Sequence, residues 1–391
     1  MPGPLSGIRV IELAGIGPCP FAAMLFADLG AEVIRVERSQ AVGATTVEAA
    51  RLDLVLRGRR SIAVDLKHPD GVALLLDLVE QADVLVEGFR PGAMERLGVG
   101  PEVCLARNPK LVFGRMTGWG QDGPYAQVPG HDINYIAIAG VLAHLGRSGE
   151  VPVAPINLVG DYGGGAMFLA FGVVAALLEA QRTGRGQVVD AAMVDGSALM
   201  MILQWSFRHQ GLFDTEHHGT NLLDSGAHFY ETYRCADGRY ISVGAIERHF
   251  YRQLVDLMGA DDVPELQTQG GRQQWPPNKE RFAAIFASKT RSEWCELLEG
   301  TDACFTPVLR MDEAAEHPHN VARSTFVEID GIVQPAPAPR FSRTVPDLPD
   351  AADAPGEHTV EVLVDWGIER DRIDLLLSSG AIVAADLTRT S

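Results

Sequence analysis

Two hydrophobic rhythms alternate along the first 200 residues. Residues 8–14 (IRVIELA) are dense in Ile and Val and predict a strand. Gly15, Gly17, Pro18 and Pro20 predict a turn, and FAAMLFADLG an amphipathic helix that stops at Gly30. AEVIRVE (31–37), SIAVDL (61–66), DVLVEGF (83–89) and the start of LVFGRMTGWG (111–120) repeat the strand pattern, with a helix predicted over HPDGVALLLDLVEQA (68–82). Strands separated by helices at this spacing predict an α/β fold built on a Rossmann-like parallel sheet. Ligands of such sheets sit beyond the carboxyl ends of the strands. The loops carrying Gly17, Arg38, Arg90 and Trp119–Gly123 are therefore expected to share one edge.

The second half changes character. From Gly164 the chain reads GAMFLAFGVVAALLEAQ, a buried helix, and then offers a turn, a short strand and a helix to about Phe207. Residues 208–223 are polar, rich in His and loop-like. HFYETYRCADGRYISVGA predicts an antiparallel hairpin turning at Ala236–Asp237–Gly238, followed by helices over RHFYRQLVDLMG, KERFAAIFASK and RSEWCELLEG. These elements predict a smaller α+β domain over residues 226–329, joined by a linker at 196–225 to a large domain over 1–195. Residues 335–355 are dense in Pro, Ala and Asp and read as extended chain, before a last pair of helical segments.

Composition narrows the function classes. A net charge of −18 argues against general binding to nucleic acid or an anionic membrane. An anionic ligand would need a local basic cluster, and one exists in Arg51, Arg57, Arg59, Arg60 and Lys67, opposed by Asp53 and Asp65. The cysteines at 19, 104, 235, 295 and 304 are scattered and form no CxxC, which argues against a disulfide framework or a zinc site. The N-terminus shows no signal-peptide pattern, and the apolar run at Gly164–Leu178 is short and glycine-rich for a membrane span. A soluble, cytoplasmic protein is expected. Glu37 follows the first glycine turn at the distance of a dinucleotide fingerprint, but Pro20 occupies the place of the third glycine, so no nicotinamide cofactor is expected.

The candidate chemistry lies between Pro129 and Gly165. His131 and Asp132 precede an apolar helical run, and Asp161 follows among Gly160, Gly163, Gly164 and Gly165 at the predicted start of the long helix. A carboxylate there meets positive backbone dipole, and the glycines allow close approach to the backbone. An imidazole and a carboxylate converging on one pocket are equipment for moving protons. Asp132 is expected to be structural, a capping residue. His209, His217 and His218 lack a partner set, so no metal site is expected.

Several blocks in order carry a resemblance over nearly the whole chain: GIRVIELAGIGPCPFAAMLFADLGAEVIRVER, RSIAVDLKHPDG, DVLVEGFRPGAMERLG, GHDINYIAIAGVL, NLVGDYGGGAMFLAFGVVAALLEAQRTGRGQVVDAAM, GTNLLDSGAHFYETYRCADGRYISVGAIE and PGEHTVEVL. Together they resemble the family III CoA-transferases (CaiB/BaiF-like). The resemblance implies an interlocked homodimer in which residues 330–391 return to the large domain. It also implies an acyl-CoA thioester as substrate, with no metal, flavin, nicotinamide or pyridoxal cofactor.

Transferases of this family use the aspartate at the position of Asp161 as a nucleophile, whereas its racemases use that aspartate with the histidine of a GHD motif as two acid/bases. Gly130–His131–Asp132 points to the racemase branch, with CoA transfer as the alternative. The resemblance then implies an enzyme that interconverts (2R)- and (2S)-2-methylacyl-CoA thioesters. His131 would handle the 2S proton and Asp161 the 2R proton, while backbone N–H groups of Asp161–Gly165 would face the enolate oxygen. Glu247 matches the glutamate that orients the histidine, on a segment lying over the partner's site. Asn157, Gly160 and Tyr230 match acyl-pocket positions. Arg38, Arg90 and Arg96 match contacts to the CoA phosphates and adenine, and Ile16 and Gly17 match backbone contacts to CoA. Met193, Met200 and Met201 would offer acyl chains a pliable apolar surface.

Overall fold

The computed structural model describes residues 2–385. They divide into two units: 2–139, 156–200 and 324–385 form the first, and 140–155 with 201–323 the second. The division departs from the expected boundaries in several places, with residues 196–200 and 324–329 falling in the first unit. Residues 140–155 leave the first unit, and 201–225 belong to the second unit instead of standing apart as a linker.

The first unit is a seven-stranded sheet. Its strands are β1 (Arg9–Leu13), β2 (Glu32–Glu37), β3 (Arg60–Val64), β4 (Val84–Glu87), β5 (Val112–Thr117) and β6 (Gln187–Ala192), with the short strand Ile382–Val383 at one edge. From that edge the order is Ile382–Val383, β3, β2, β1, β4, β5, β6, parallel except for the antiparallel edge pair. The near-continuous apolar runs follow from this topology, because inner parallel strands are covered on both faces. Along β1, Ile11 and Leu13 face one core with Leu74, Leu75, Leu78 and Trp366, while Val10 faces the other with Phe26, Leu169 and Val173. Helix α2 (Pro69–Val79) covers the first face, and α1 (Pro18–Asp28) and α4 (Met167–Thr183) cover the second.

Strand order reverses between β1 and β4, so the connections leaving these two neighbours run to opposite sides and open a crevice at their carboxyl ends. Two short β features are among the elements that escaped the sequence reading. The hairpin Phe326–Ile329 with Ile332–Pro335 is four residues per strand, and Ile382–Val383 is two. Runs this short carry no periodicity.

The second unit holds the expected hairpin, Tyr230–Arg234 with Tyr240–Gly244, extended by Phe305–Pro307 into three antiparallel strands. Helices Arg248–Leu257, Trp275–Phe286 and Arg291–Leu298 pack on it through Tyr251, Leu254, Phe282, Phe286 and Trp294.

Candidate active site

A cavity of about 350 Å³ lies in the crevice at the strand reversal. Ile16 and Gly17 line it from the loop after β1, Gly88–Pro91 from the loop after β4, and Met116–Trp119 from the end of β5. His131, Tyr135, Asp161 and Met193 complete the wall. His131 and Asp161, the pair singled out in the sequence, therefore meet in one cavity.

Each is held by a specific local device. His131 stands immediately before helix α3 (Asp132–Ile138) in extended conformation, and the Asn134 side chain accepts its backbone N–H at 3.0 Å. That bond fixes the main chain and leaves the exposed imidazole outside the cap. Tyr135 braces the approach: its hydroxyl donates to the Gly130 carbonyl, and its ring meets Trp119 edge-on at 4.7 Å.

Asp161 sits in a wide helical turn. Residues Leu158–Ala166 form a π-helix that runs directly into α4, an irregularity common at functional sites. The helical pattern thus starts three residues ahead of Asp161, and this corrects the expected role of the glycines. The Asp161 N–H is already used, donating to Asp132 Oδ2 at 2.7 Å, and so is not free for an enolate oxygen. The glycines admit protein neighbours. A Cβ at Gly160 would fall 2.6 Å from Asp132 Oδ2, and one at Gly164 would fall 2.4 Å from Ser197 Oγ on the helix Met193–Met200.

The Asp161 carboxyl is half-buried, and its pKa is raised above the ordinary carboxylate range. Burial is the main cause and the nearby Asp132 charge adds to it, while a hydrogen bond from Asn157 and the His131 charge act in the opposite direction. Asn157 Nδ2 reaches Asp161 Oδ2 at 3.1 Å, so Asn157 supports the acid directly. Burial also raises the Tyr135 phenol, helped by the Asp161 charge.

The other expected site residues separate. Ile16, Gly17 and Arg90 line the cavity. Gly160 is buried against Asp132 behind the wall. Arg38 and Arg96 are exposed and outside the lining, Arg38 before the short turn Ser39–Ala41 and Arg96 at the end of Ala93–Arg96. Tyr230 and Glu247 belong to the second unit, Glu247 directly preceding the helix Arg248–Leu257. Phe89 and Tyr135 went unselected, whereas Trp119 lines the cavity from a loop expected at this edge.

Four arginines of the basic cluster are engaged in ion pairs. Arg57 is buried and paired with Asp28 at 2.6 Å, Arg59 with Glu12 at 2.6 Å, Arg60 with Glu32 at 2.6 Å, and Arg51 with Asp330 at 3.0 Å. The buried pairs of Arg57 and Arg59 tie segments of the first unit together.

The CoA-transferase family III model matches residues 5–359. The chain belongs to this family. It is 47% identical over 386 residues to alpha-methylacyl-CoA racemase of Mus musculus, covering 98% of both chains. To alpha-methylacyl-CoA racemase of Homo sapiens it is 44% identical over 390 residues, covering 99% of both. Among solved structures, the crystal structure of Rv3272 from M. tuberculosis superposes with a TM-score of 0.74 at 28% identity, covering 92% of this chain and 99% of that one. This family III member thus shares an α/β architecture with solved relatives and nearly its full length with two racemases.

Proposed function

We propose that this family III enzyme interconverts (2R)- and (2S)-2-methylacyl-CoA thioesters by carrying the α-proton from one face of the acyl group to the other. The convergence of His131 and Asp161 on one cavity, in a chain 47% identical to a racemase, carries this reading. The α-proton of a thioester is weakly acidic, so its removal needs a placed base and stabilisation of the enolate oxygen. Inversion needs a second group to return a proton on the opposite face. One of His131 and Asp161 starts as base and the other as acid, and the roles exchange with substrate hand: His131 serves the 2S proton and Asp161 the 2R proton. A carboxyl raised by burial suits a group that must hold a proton in one direction and release it in the other. Proton transfer between carbon and two side chains changes no oxidation state, so the reaction calls for no redox cofactor.

The enolate oxygen needs donors other than the Asp161 N–H. The N–H groups of Asp132 and Ile133, which precede the first intrahelical bond of α3, are the proposed source. Arg90 at the cavity and the exposed Arg38 and Arg96 would meet the CoA phosphates. Glu247 would orient the His131 ring, and Tyr230 would contact the acyl group.

A second copy of the chain completes the proposal as an interlocked homodimer. Residues 158–183 form the one helical stretch among the described residues long and apolar enough to cross a membrane, and half of its most apolar window is buried inside the structure. Met167, Phe171, Val174 and Leu178 are exposed along it at spacings of one helix face. A second copy would cover this face.

Deuterium wash-in from D2O at Cα of each 2-methylacyl-CoA hand tests the reaction. Exchange and inversion from both hands, crippled in His131→Ala and in Asp161→Ala, are expected. Membership of family III, together with an aspartate at the cavity, favours CoA transfer with Asp161 as nucleophile as the second reading. A covalent adduct at Asp161 after incubation with acyl-CoA, with transfer to an added carboxylate surviving His131→Ala, would establish that reading instead.

A further inference from the structure

Asp132 begins helix α3, yet its carboxylate does not serve that helix. Its Oδ2 instead accepts the Asp161 N–H at 2.7 Å, a contact across 29 residues. The side chain is 6% exposed, and Oδ1 is buried with no hydrogen-bond partner. No ion pair to Asp132 occurs among the described residues. Gly160 packs so closely that any Cβ there would overlap the carboxylate. A buried carboxylate with one oxygen unserved is costly, and a merely structural contact to one backbone N–H could be made by a neutral side chain.

We propose that Asp132 is a positioning residue for Asp161: its Oδ2 pins the Asp161 backbone to the helix that follows His131, and its buried charge sets how readily the Asp161 carboxyl holds a proton. The pin couples the two reacting groups, because His131 immediately precedes α3 and Asp161 hangs from its first residue. The charge acts on protonation, because an uncompensated like charge nearby disfavours ionisation. The groups facing Asp161 are few. His131, Asp132 and Tyr135 come from the α3 side and Asn157 from the start of its own turn. Gly17 approaches from the β1 loop without a charge, and Arg90 lies across the cavity. On the helix Met193–Met200, Asp195 points to solvent and Ser197 packs on Gly164. The buried negative charge of Asp132 is thus the main like-charged influence on Asp161.

The role of Asp132 deepens the racemase reading and rests on it for its catalytic meaning, but its test does not require turnover. Asp132→Asn keeps an oxygen for the Asp161 N–H and removes the charge. Carbodiimide labelling of Asp161, which requires the protonated acid, can be followed by peptide mass spectrometry across pH. In Asp132→Asn the midpoint of labelling is expected about one pH unit lower than in wild type. An unchanged midpoint would overturn the proposal whatever reaction the enzyme performs. Asp132→Ala, which loses pin and charge together, is expected to slow α-deuterium exchange at least tenfold at nearly unchanged KM, with Asp132→Asn recovering most of the rate. If wild type exchanges no α-deuterium, the racemase reading fails while the labelling midpoints still decide what Asp132 does.

Discussion

Asn157 donates to Oδ2 of Asp161 at 3.1 Å from four residues earlier, at the threshold of the same π-helical turn. The bond favours the ionised acid, against burial and the charge of Asp132. Removing it in Asn157→Ala raises the Asp161 pKa further, so less of the acid is ionised at a given pH. Proton abstraction by Asp161 is then expected to fall, by up to about tenfold where the wild-type acid is already mostly protonated, and to recover as pH rises, since hydrogen bonds to charged groups are worth about 1.5–3 kcal/mol before allowance for partial exposure. Rate profiles of deuterium wash-in from each substrate hand check this. A loss equal at every pH and from both hands would speak against the bond's role in ionisation.

Arg57 lies in the sequence cluster that looked able to bind phosphate, yet it belongs to the core. It pairs with Asp28, which is 1% exposed, and donates to Gln334 Oε1 at 2.9 Å and to the Pro335 carbonyl at 2.7 Å. Arg57→Ala strands the Asp28 carboxylate in the interior and is expected to destabilise the protein by about 3–5 kcal/mol. The KM for acyl-CoA should not change where the variant remains folded. Urea denaturation and initial-rate kinetics read the two effects separately, and a raised KM at unchanged stability would return Arg57 to the ligand.

His228 predicts acid sensitivity. Its side chain is fully buried against Phe229, Tyr251 and Phe282, with Nε2 2.9 Å from the Tyr251 hydroxyl. Burial, helped by the charge of Lys279, lowers its pKa to about 3. The unfolded chain takes up this proton near pH 6.5, whereas the folded chain resists it down to about pH 3. Stability is therefore complete above pH 6.5 and falls as the pH drops, by about 2 kcal/mol at pH 5 from this group alone. His228→Gln should flatten that part of the dependence in denaturant titrations at pH 7 and pH 5. An identical slope would assign acid sensitivity to other groups.

How far the sequence reached can be seen residue by residue. Apolar runs at β1 to β5 and the hairpin around Gly238 were legible because strand and turn signals are local. His131 and Asp161 were legible because a GHD triplet and a run of glycines stand out from their surroundings. The order of strands was not legible, and it is the reversal between β1 and β4 that opens the cavity. Nor were the partners of the arginines, since Asp28, Glu12 and Glu32 lie 29, 47 and 28 residues away from Arg57, Arg59 and Arg60.

The sequence by itself determined the α/β pattern, the hairpin and the two residues on which the chemistry is proposed to turn. Only the tertiary structure decided that Arg57 and Arg59 serve the core, that the glycines admit Asp132 and Ser197, and that the Asp161 N–H is held by Asp132. The physical reason is range. Periodicity, turn chemistry and backbone conformation are set by neighbours along the chain. The partner of a buried charge or a glycine face is set by which distant segment folding brings within 3 Å, and no local pattern records that choice.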